Sequence, residues 1–268
     1  MKTDDHSSLT TAATSTGTAR IFVAIVSHRH ARNVAEDLRP HRWRKSSGKI
    51  FPIILSNVPD TALLNYCDRH NLPLIENITQ QGFGANNNKI YRHAKENLGL
   101  KEDDYFFCIN PDIITSAADI IQLSEIMKAN QYTVAAPNLL KPDGTPDDNI
   151  RSFPTLKDIA YRYFFNSKKS NVEKRIRHGN EVTDWASGAY LCFRASTYEE
   201  IQGFDEKYFM YYEDADICRR AGLVEQPTYY IPSVKATHIG NRKSRGLPTK
   251  QLVYHVTSAI RFTLANSK

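Results

Sequence analysis

Ile21-Phe-Val-Ala-Ile-Val-Ser-His28 is the stretch on which the fold turns. It is too short for a buried helix, rich in β-branched residues, and apolar at every position until Ser27-His28. A strand that is apolar on both sides must be covered on both sides, which is the habit of a parallel sheet. Ile50 to Leu55 repeats the pattern and ends in Ser56-Asn57, so the Arg-rich stretch from Ala31 to Lys49 must hold a connecting helix. Thr61 to His70 predicts a second helix, with Leu63, Leu64 and Cys67 on one face, and Leu72 to Ile75 a third strand. A turn at Gly82-Phe83-Gly84 opens a helix that runs to Leu98. Tyr105 to Ile109 is a fourth strand, stopped by Pro111, which has no N–H for a sheet ladder. Strands alternating with helices in this way predict an α/β fold with a mainly parallel central sheet. Ligands of such sheets bind beyond the carboxyl ends of the strands. Ser27-His28, Ser56-Asn57 and Asn110-Pro111-Asp112 therefore share one rim.

The second half of the chain is less regular. Pro137 to Pro154 reads as loop, Lys157 to Phe165 is aromatic, and Ser167 to Asn180 is basic. Ala189 to Phe193 predicts a strand, Glu213 to Ala221 a helix, and Lys250 to Ala265 a last helix. The expected division is a disordered polar leader over residues 1–19, one domain over residues 20–248 and a C-terminal helix over residues 249–268. Of the 268 residues, 41% are hydrophobic and 24% charged, which suits a soluble globular protein. The net charge of +6 is too diffuse to point to nucleic acid; it suits an anionic substrate or an anionic membrane surface. Cys67, Cys108, Cys192 and Cys218 form no CxxC pair, so neither a disulfide framework nor a zinc site is expected. The Ser/Thr-rich first nineteen residues lack the apolar core of a secretory signal, and no apolar run approaches the ~18 residues of a membrane span. A cytoplasmic location is the expectation.

Four segments carry candidate chemistry. The first is Gln81-Gly-Phe-Gly-Ala-Asn-Asn-Asn88. It lacks the third glycine of a dinucleotide fingerprint and follows the wrong strand for one. Its glycines would still allow a ligand to approach the backbone closely, and its asparagines can cap the helix or reach a sugar or phosphate. The second is Asn110-Pro111-Asp112, where a carboxylate past a strand end either holds a divalent cation on a diphosphate or closes a turn. The third, Asp184-Trp-Ala-Ser-Gly-Ala189, offers Trp185 as an exposed platform for a sugar ring, with a core position as the alternative. The fourth runs from Gly203 to Cys218 and contains Glu213-Asp214-Ala215-Asp216 at a helix start, where the dipole favours ionised acids. His238, at the end of a predicted strand, is a candidate metal ligand.

In this order the segments resemble the family 2 glycosyltransferases of the GT-A fold, and within them the O-antigen rhamnosyltransferases. The likeness runs from about Ile21 to about Arg261 and includes Ile25-Val-Ser-His28, Arg151-Ser-Phe-Pro154 and Gly203-Phe-Asp-Glu-Lys-Tyr-Phe-Met-Tyr-Tyr-Glu-Asp-Ala-Asp-Ile-Cys218. The resemblance implies that Ser27, His28, Asn57, Gly82, Phe83, Gly84, Asn87, Asn110 and Asp112 bind a nucleotide-diphospho-sugar donor. It implies Mg2+ or Mn2+ held by Asp112 and His238, Asp214 as general base, and Trp185, Gly188 and Glu213 near the acceptor. Asn110 departs from relatives that carry a carboxylate there. The implied reaction is inverting transfer of a sugar, foremost L-rhamnose from dTDP-L-rhamnose, to a lipid-linked saccharide at the inner-membrane surface. Transfer of galactofuranose, glucose or N-acetylglucosamine is the alternative, as is a non-catalytic sugar-binding relative. Basic-aromatic stretches at residues 161–177 and 242–250 are the expected membrane contacts.

Overall fold

A computed structural model describes residues 18–154, 179–240 and 249–265. Residues 1–17 of the expected leader, the whole basic-aromatic stretch of residues 161–177 and residues 242–248 of the second lie outside the described residues. The chain begins with β1 (Ile21–Ser27), a π-helical turn (Asn33–Leu38) and α1 (Pro40–Ser46). It continues through β2 (Ile50–Ser56), α2 (Thr61–His70), β3 (Leu74–Glu76) and α3 (Phe83–Leu98) to β4 (Tyr105–Ile109). Next come β5 (Ile113–Ile114), α4 (Ala117–Ala129), β6 (Val134–Leu140), β7 (Ile150–Arg151), β8 (Glu181–Thr183) and β9 (Trp185–Ala186). β10 (Tyr190–Arg194), α5 (Ala195–Glu200), α6 (Glu213–Leu223), β11 (Thr228–His238) and α7 (Thr249–Leu264) complete the described elements.

The main sheet has the order β3-β2-β1-β4-β10-β6-β11-β5, with β8 on the flank of β11. β3, β2, β1 and β4 run parallel, as does β11 beside β6, whereas β10 runs antiparallel to both β4 and β6. The expectation of a mainly parallel sheet therefore holds for the first half, and β10 reverses the direction in the second. Successive side chains of β1 alternate between two cores. Phe22 and Ala24 join Phe106, Leu191, Ile90 and Ala215 on one face. Val23 and Ile25 join Phe107, Cys192, Leu63 and Ile120 on the other. All four cysteines are buried and free.

Three expectations about local structure need correction. The stretch from Ala31 to Lys49 is not one helix. Arg39 adopts a left-handed conformation (φ 52°) ahead of Pro40, which starts α1, because a residue before proline is disfavoured in the right-handed helical region. Pro137 lies inside β6 rather than in a loop. It sits opposite Ile231, where β11 shifts register up to Lys235, so the bulge absorbs the proline. α4 and β6 were not foreseen: α4 is set by a Ser116–Asp119 capping box that its even spread of apolar residues hides.

Candidate active site

The carboxyl ends of β1, β2 and β4 form the expected rim. The Asn57 N–H donates to the Ser27 carbonyl (2.8 Å), and the Asn110 N–H donates to the Ala189 carbonyl (2.9 Å). Ser27 is buried and its hydroxyl accepts from the His30 N–H (3.1 Å), while His28 stays exposed at the strand end. Partial desolvation, followed by the neighbouring His30 and Arg29, lowers the His28 pKa.

Asn57 does not project freely into a ligand pocket. Its Oδ1 accepts from Asn77 Nδ2 and the Gln81 N–H, and its Nδ2 donates to the Gln81 carbonyl, each at 2.9 Å. Asn77 also donates to Asn86 Oδ1 (2.7 Å), so a buried amide network fastens the loop ahead of α3. Asn87 turns inward and donates to the Phe83 carbonyl (3.0 Å). Neither Asn57 nor Asn87 presents the free amide expected of a donor-binding group, because the backbone of the loop and the first helical turn use those amides.

The glycines at the start of α3 are likewise consumed by packing. A Cβ on Gly82 would stand 2.6 Å from the Phe209 carbonyl oxygen, and one on Gly84 would stand 2.7 Å from Phe204 Cβ. Their small size serves the approach of the 204–209 segment, not that of a ligand. Phe83 fills the space between: its ring meets Phe204 edge-on (centroids 5.7 Å apart) and lies under Gly188.

Trp185 is a core residue, which overturns the exposed platform. It is 8% exposed. Its Nε1–H donates to the Ser152 carbonyl (3.0 Å), and the Arg151 guanidinium lies 5.1 Å from its ring centre. The cause is pairing of β9 with β7, which sets Trp185 opposite Arg151 and turns the indole inward.

Asp214 is partly buried beneath this layer. Its Oδ2 accepts from the Gly188 N–H (3.2 Å) and its Oδ1 from the Ala215 N–H (2.9 Å). Burial raises its pKa against the lowering effect of those N–H groups and of Arg151, so desolvation outweighs the helix dipole that the sequence emphasised. Glu213 is pushed up as well, by burial first and by the charge of Asp214 second, and its Oε2 has no hydrogen-bond partner. Two adjacent acids, one buried and one partly buried, cannot both ionise readily, and Asp214 alone has two N–H donors on its carboxylate. The shared proton therefore resides on Glu213. Asp216 has a structural part, paired with Arg219 (2.8 Å) and Arg220 (2.7 Å).

The acids are delivered by a strained turn. Tyr211 (φ 71°) and Tyr212 (φ 65°) are consecutive left-handed residues that are not glycine. α7 holds them in place: His255 packs on both tyrosine rings, Phe262 on Tyr212, and the Ser258 hydroxyl donates to the Met210 carbonyl (2.9 Å).

Asp112 and His238 come together although far apart in sequence. β5 pairs antiparallel with the end of β11, setting His238 opposite Ile113, and the Ile239 N–H donates to the Asp112 carbonyl (2.9 Å). His238 Nε2 then lies 3.4 Å from Asp112 Oδ2. Two ligand atoms about 2.1 Å from a hard divalent cation and at right angles are about 3.0 Å apart, so this pair fits such an ion. Among the described residues no cluster of three or more His, Cys, Asp or Glu side chains is built to hold a metal alone. A cation here would complete its shell with water and the oxygens of a bound diphosphate. Burial opposes the charge of both groups, yet their hydrogen bond lowers the Asp112 pKa, and the carboxylates of Asp112 and Asp147 raise that of His238 to about 9. Asp147, 2.7 Å from His238 Nδ1, was missed in the sequence, where it reads as one of several turn-forming acids.

Comparison with known proteins agrees with this architecture. No family model matches the chain. Rhamnosyltransferase WbbL of Escherichia coli (strain K12) is 28% identical over 90% of this chain and 92% of its own. The N-acetylglucosaminyl-diphospho-decaprenol L-rhamnosyltransferase of Mycobacterium tuberculosis (strain CDC 1551 / Oshkosh) is 26% identical over 76% of this chain and 69% of its own. Among solved structures, a mannosyltransferase from Pyrobaculum calidifontis, in complex with GDP-Man and Mn2+, superposes with a TM-score of 0.58 at 13% identity. That match covers 92% of this chain and 65% of the mannosyltransferase. The fold is thus that of the GT-A transferases.

Proposed function

We propose that this chain, a glycosyltransferase of the GT-A fold similar to rhamnosyltransferases, transfers L-rhamnose from dTDP-L-rhamnose to a lipid-linked saccharide in surface-polysaccharide synthesis. The observation that carries this reading is the pairing, on one α/β scaffold, of Asp112 with His238 (3.4 Å) and of partly buried Asp214 with the Gly188 N–H (3.2 Å). Transfer poses two chemical problems, and each pair answers one. The departing diphosphate needs its growing negative charge neutralised. Asp112 and His238 would hold Mg2+ or Mn2+, which supplies that charge when bound. The acceptor hydroxyl needs to lose its proton as it attacks, and Asp214 is a carboxylate whose raised pKa makes it a stronger base. Attack opposite the leaving group inverts the anomeric carbon.

In this reading Ser27, His28 and the loop pinned by Asn57 border the nucleoside, and Asn110 with Asp112 faces the diphosphate. Gly82, Phe83, Gly84 and Asn87 shape that wall from behind. Gly188 and protonated Glu213 border the acceptor, and Trp185 supports them from the core. In this reading the transferase domain spans residues 20–248, and the C-terminal segment that contains α7 is appended to it. No helix among the described residues is long and apolar enough to cross a membrane. Contact with the cytoplasmic face of a membrane is supported by α7, which exposes Leu252, Val253, Ile260 and Leu264 and carries no acidic residue.

The test is product formation from dTDP-L-rhamnose and a prenyl-diphosphate-linked saccharide, with Mg2+ or Mn2+ and with excess EDTA. The expected result is transfer with either metal and none after chelation. UDP-galactofuranose, UDP-glucose and UDP-N-acetylglucosamine run in parallel. Turnover with one of these alone would reassign the donor, and binding without turnover would indicate a sugar-binding relative.

A further inference from the structure

We infer that Asp147 is a positioning residue that locks the ring of His238 so that its Nε2 faces the cation site beside Asp112. The inference rests on the proposed metal site and adds a part that neither the sequence motifs nor the relatives indicate. His238 Nδ1 lies 2.7 Å from Asp147 Oδ2, on the side of the ring away from Asp112. A carboxylate can only accept there, so Nδ1 keeps its proton, and Nε2 is the nitrogen that gives up its proton to ligate a cation. Metal-binding histidines commonly hold their second nitrogen in this way. Asp147 is not a ligand itself, since it reaches the opposite nitrogen of the imidazole.

The surroundings make Asp147 a rigid anchor. It is 8% exposed. Its N–H donates to the Leu139 carbonyl (2.8 Å), which ties the loop after β6 back onto that strand. Two residues on, buried Asn149 donates to the Pro137 carbonyl (2.9 Å), and the Asn149 carbonyl accepts from the Ser187 N–H (2.7 Å). That last bond leads to the segment of Gly188 that holds Asp214. Without the Asp147 carboxylate, the half-buried ring could turn about its side-chain torsions, and the neutral imidazole could keep its one proton on Nε2, where it blocks a cation.

The probe is Mn2+, titrated into wild type, Asp112→Ala, Asp147→Ala and Asp147→Asn at saturating thymidine diphosphate, with free Mn2+ read by electron paramagnetic resonance. Asp147→Ala should bind Mn2+ about 10–100-fold more weakly. Asp147→Asn should recover part of the loss, because its amide oxygen still accepts from Nδ1–H. Nitrogen-15 spectra of His238 with diamagnetic Mg2+ should show protonation at Nδ1 in wild type. Wild-type Mn2+ affinity in Asp147→Ala, with affinity lost in Asp112→Ala, would overturn the inference and leave the metal site standing. Unchanged affinity in Asp112→Ala would overturn the metal site and the inference with it. If Asp147→Ala does not fold, the wild-type spectrum decides: an Nε2–H tautomer in the Mg2+ complex refutes the inference.

Discussion

Replacing Asp214 with asparagine separates chemistry from structure at the base of the site. The asparagine Oδ1 can still accept from the Gly188 or Ala215 N–H, which now meet the carboxylate at 3.2 and 2.9 Å, so the 184–188 segment keeps its tie to α6. What disappears is the capacity to take a proton. General-base groups contribute about 10²–10⁴-fold to rate, which corresponds to about 2.7–5.5 kcal/mol of barrier. Stability should respond differently. Burial raises the pKa of Asp214 in the folded state. Such a group supports folding fully below its unfolded pKa, and that support fades as pH rises through the folded value. A neutral amide has no such loss, so the variant should melt at or above the wild-type temperature at pH 8. The measurements are donor affinity by calorimetry, melting by circular dichroism and transfer rate by product formation, all on the same preparations. Turnover within tenfold of wild type would remove Asp214 from the mechanism. So would a rate loss accompanied by an equal loss of donor binding.

Other outcomes follow from the same geometry. Glu213→Gln should cost less turnover at pH 7 than Asp214→Asn, since Glu213 already carries the proton. It should also flatten the decline of stability as pH climbs from the carboxylate range through the raised Glu213 value, visible in urea melts across pH 6 to 9. Asp216→Ala removes the shared carboxylate of Arg219 and Arg220, which keep only backbone carbonyl acceptors among the bonds described, and should destabilise the fold by about 1–3 kcal/mol, read from the urea midpoint. Gly82→Ala forces a Cβ against the Phe209 carbonyl and should cost about 1–3 kcal/mol by the same assay. Leu252→Glu with Ile260→Glu on the exposed side of α7 should reduce co-sedimentation with anionic vesicles while leaving melting unchanged. Equal sedimentation would argue against α7 as a membrane contact.

The parts of this protein that were legible in the chain are those encoded by neighbours in sequence. β1, β2 and β4 follow from continuous apolar runs, and α2 matches its predicted span because its periodicity and its Asp60 cap agree. The placing of Ser27, Asn57 and Asp112 on one rim followed from strand direction alone. The ordered motifs likewise singled out Asp112, His238 and Asp214 before any contact was known. Local patterns, however, carry no information on what a side chain meets across the fold. The role of Asn57, the inward turn of Trp185 and the packing duty of Gly82 and Gly84 all depend on segments distant in sequence. The antiparallel β10 could not be foreseen either, because strand direction is set by how the chain returns to the sheet. Asp147 is the clearest case: 91 residues separate it from His238, and only the antiparallel pairing of β5 with β11, together with the folded-back loop after β6, brings the two side chains to 2.7 Å. Hydrophobic periodicity, a property of each segment, decides which elements form. Which polar groups share a buried site is decided by closure of long loops, and that exists only in the tertiary structure.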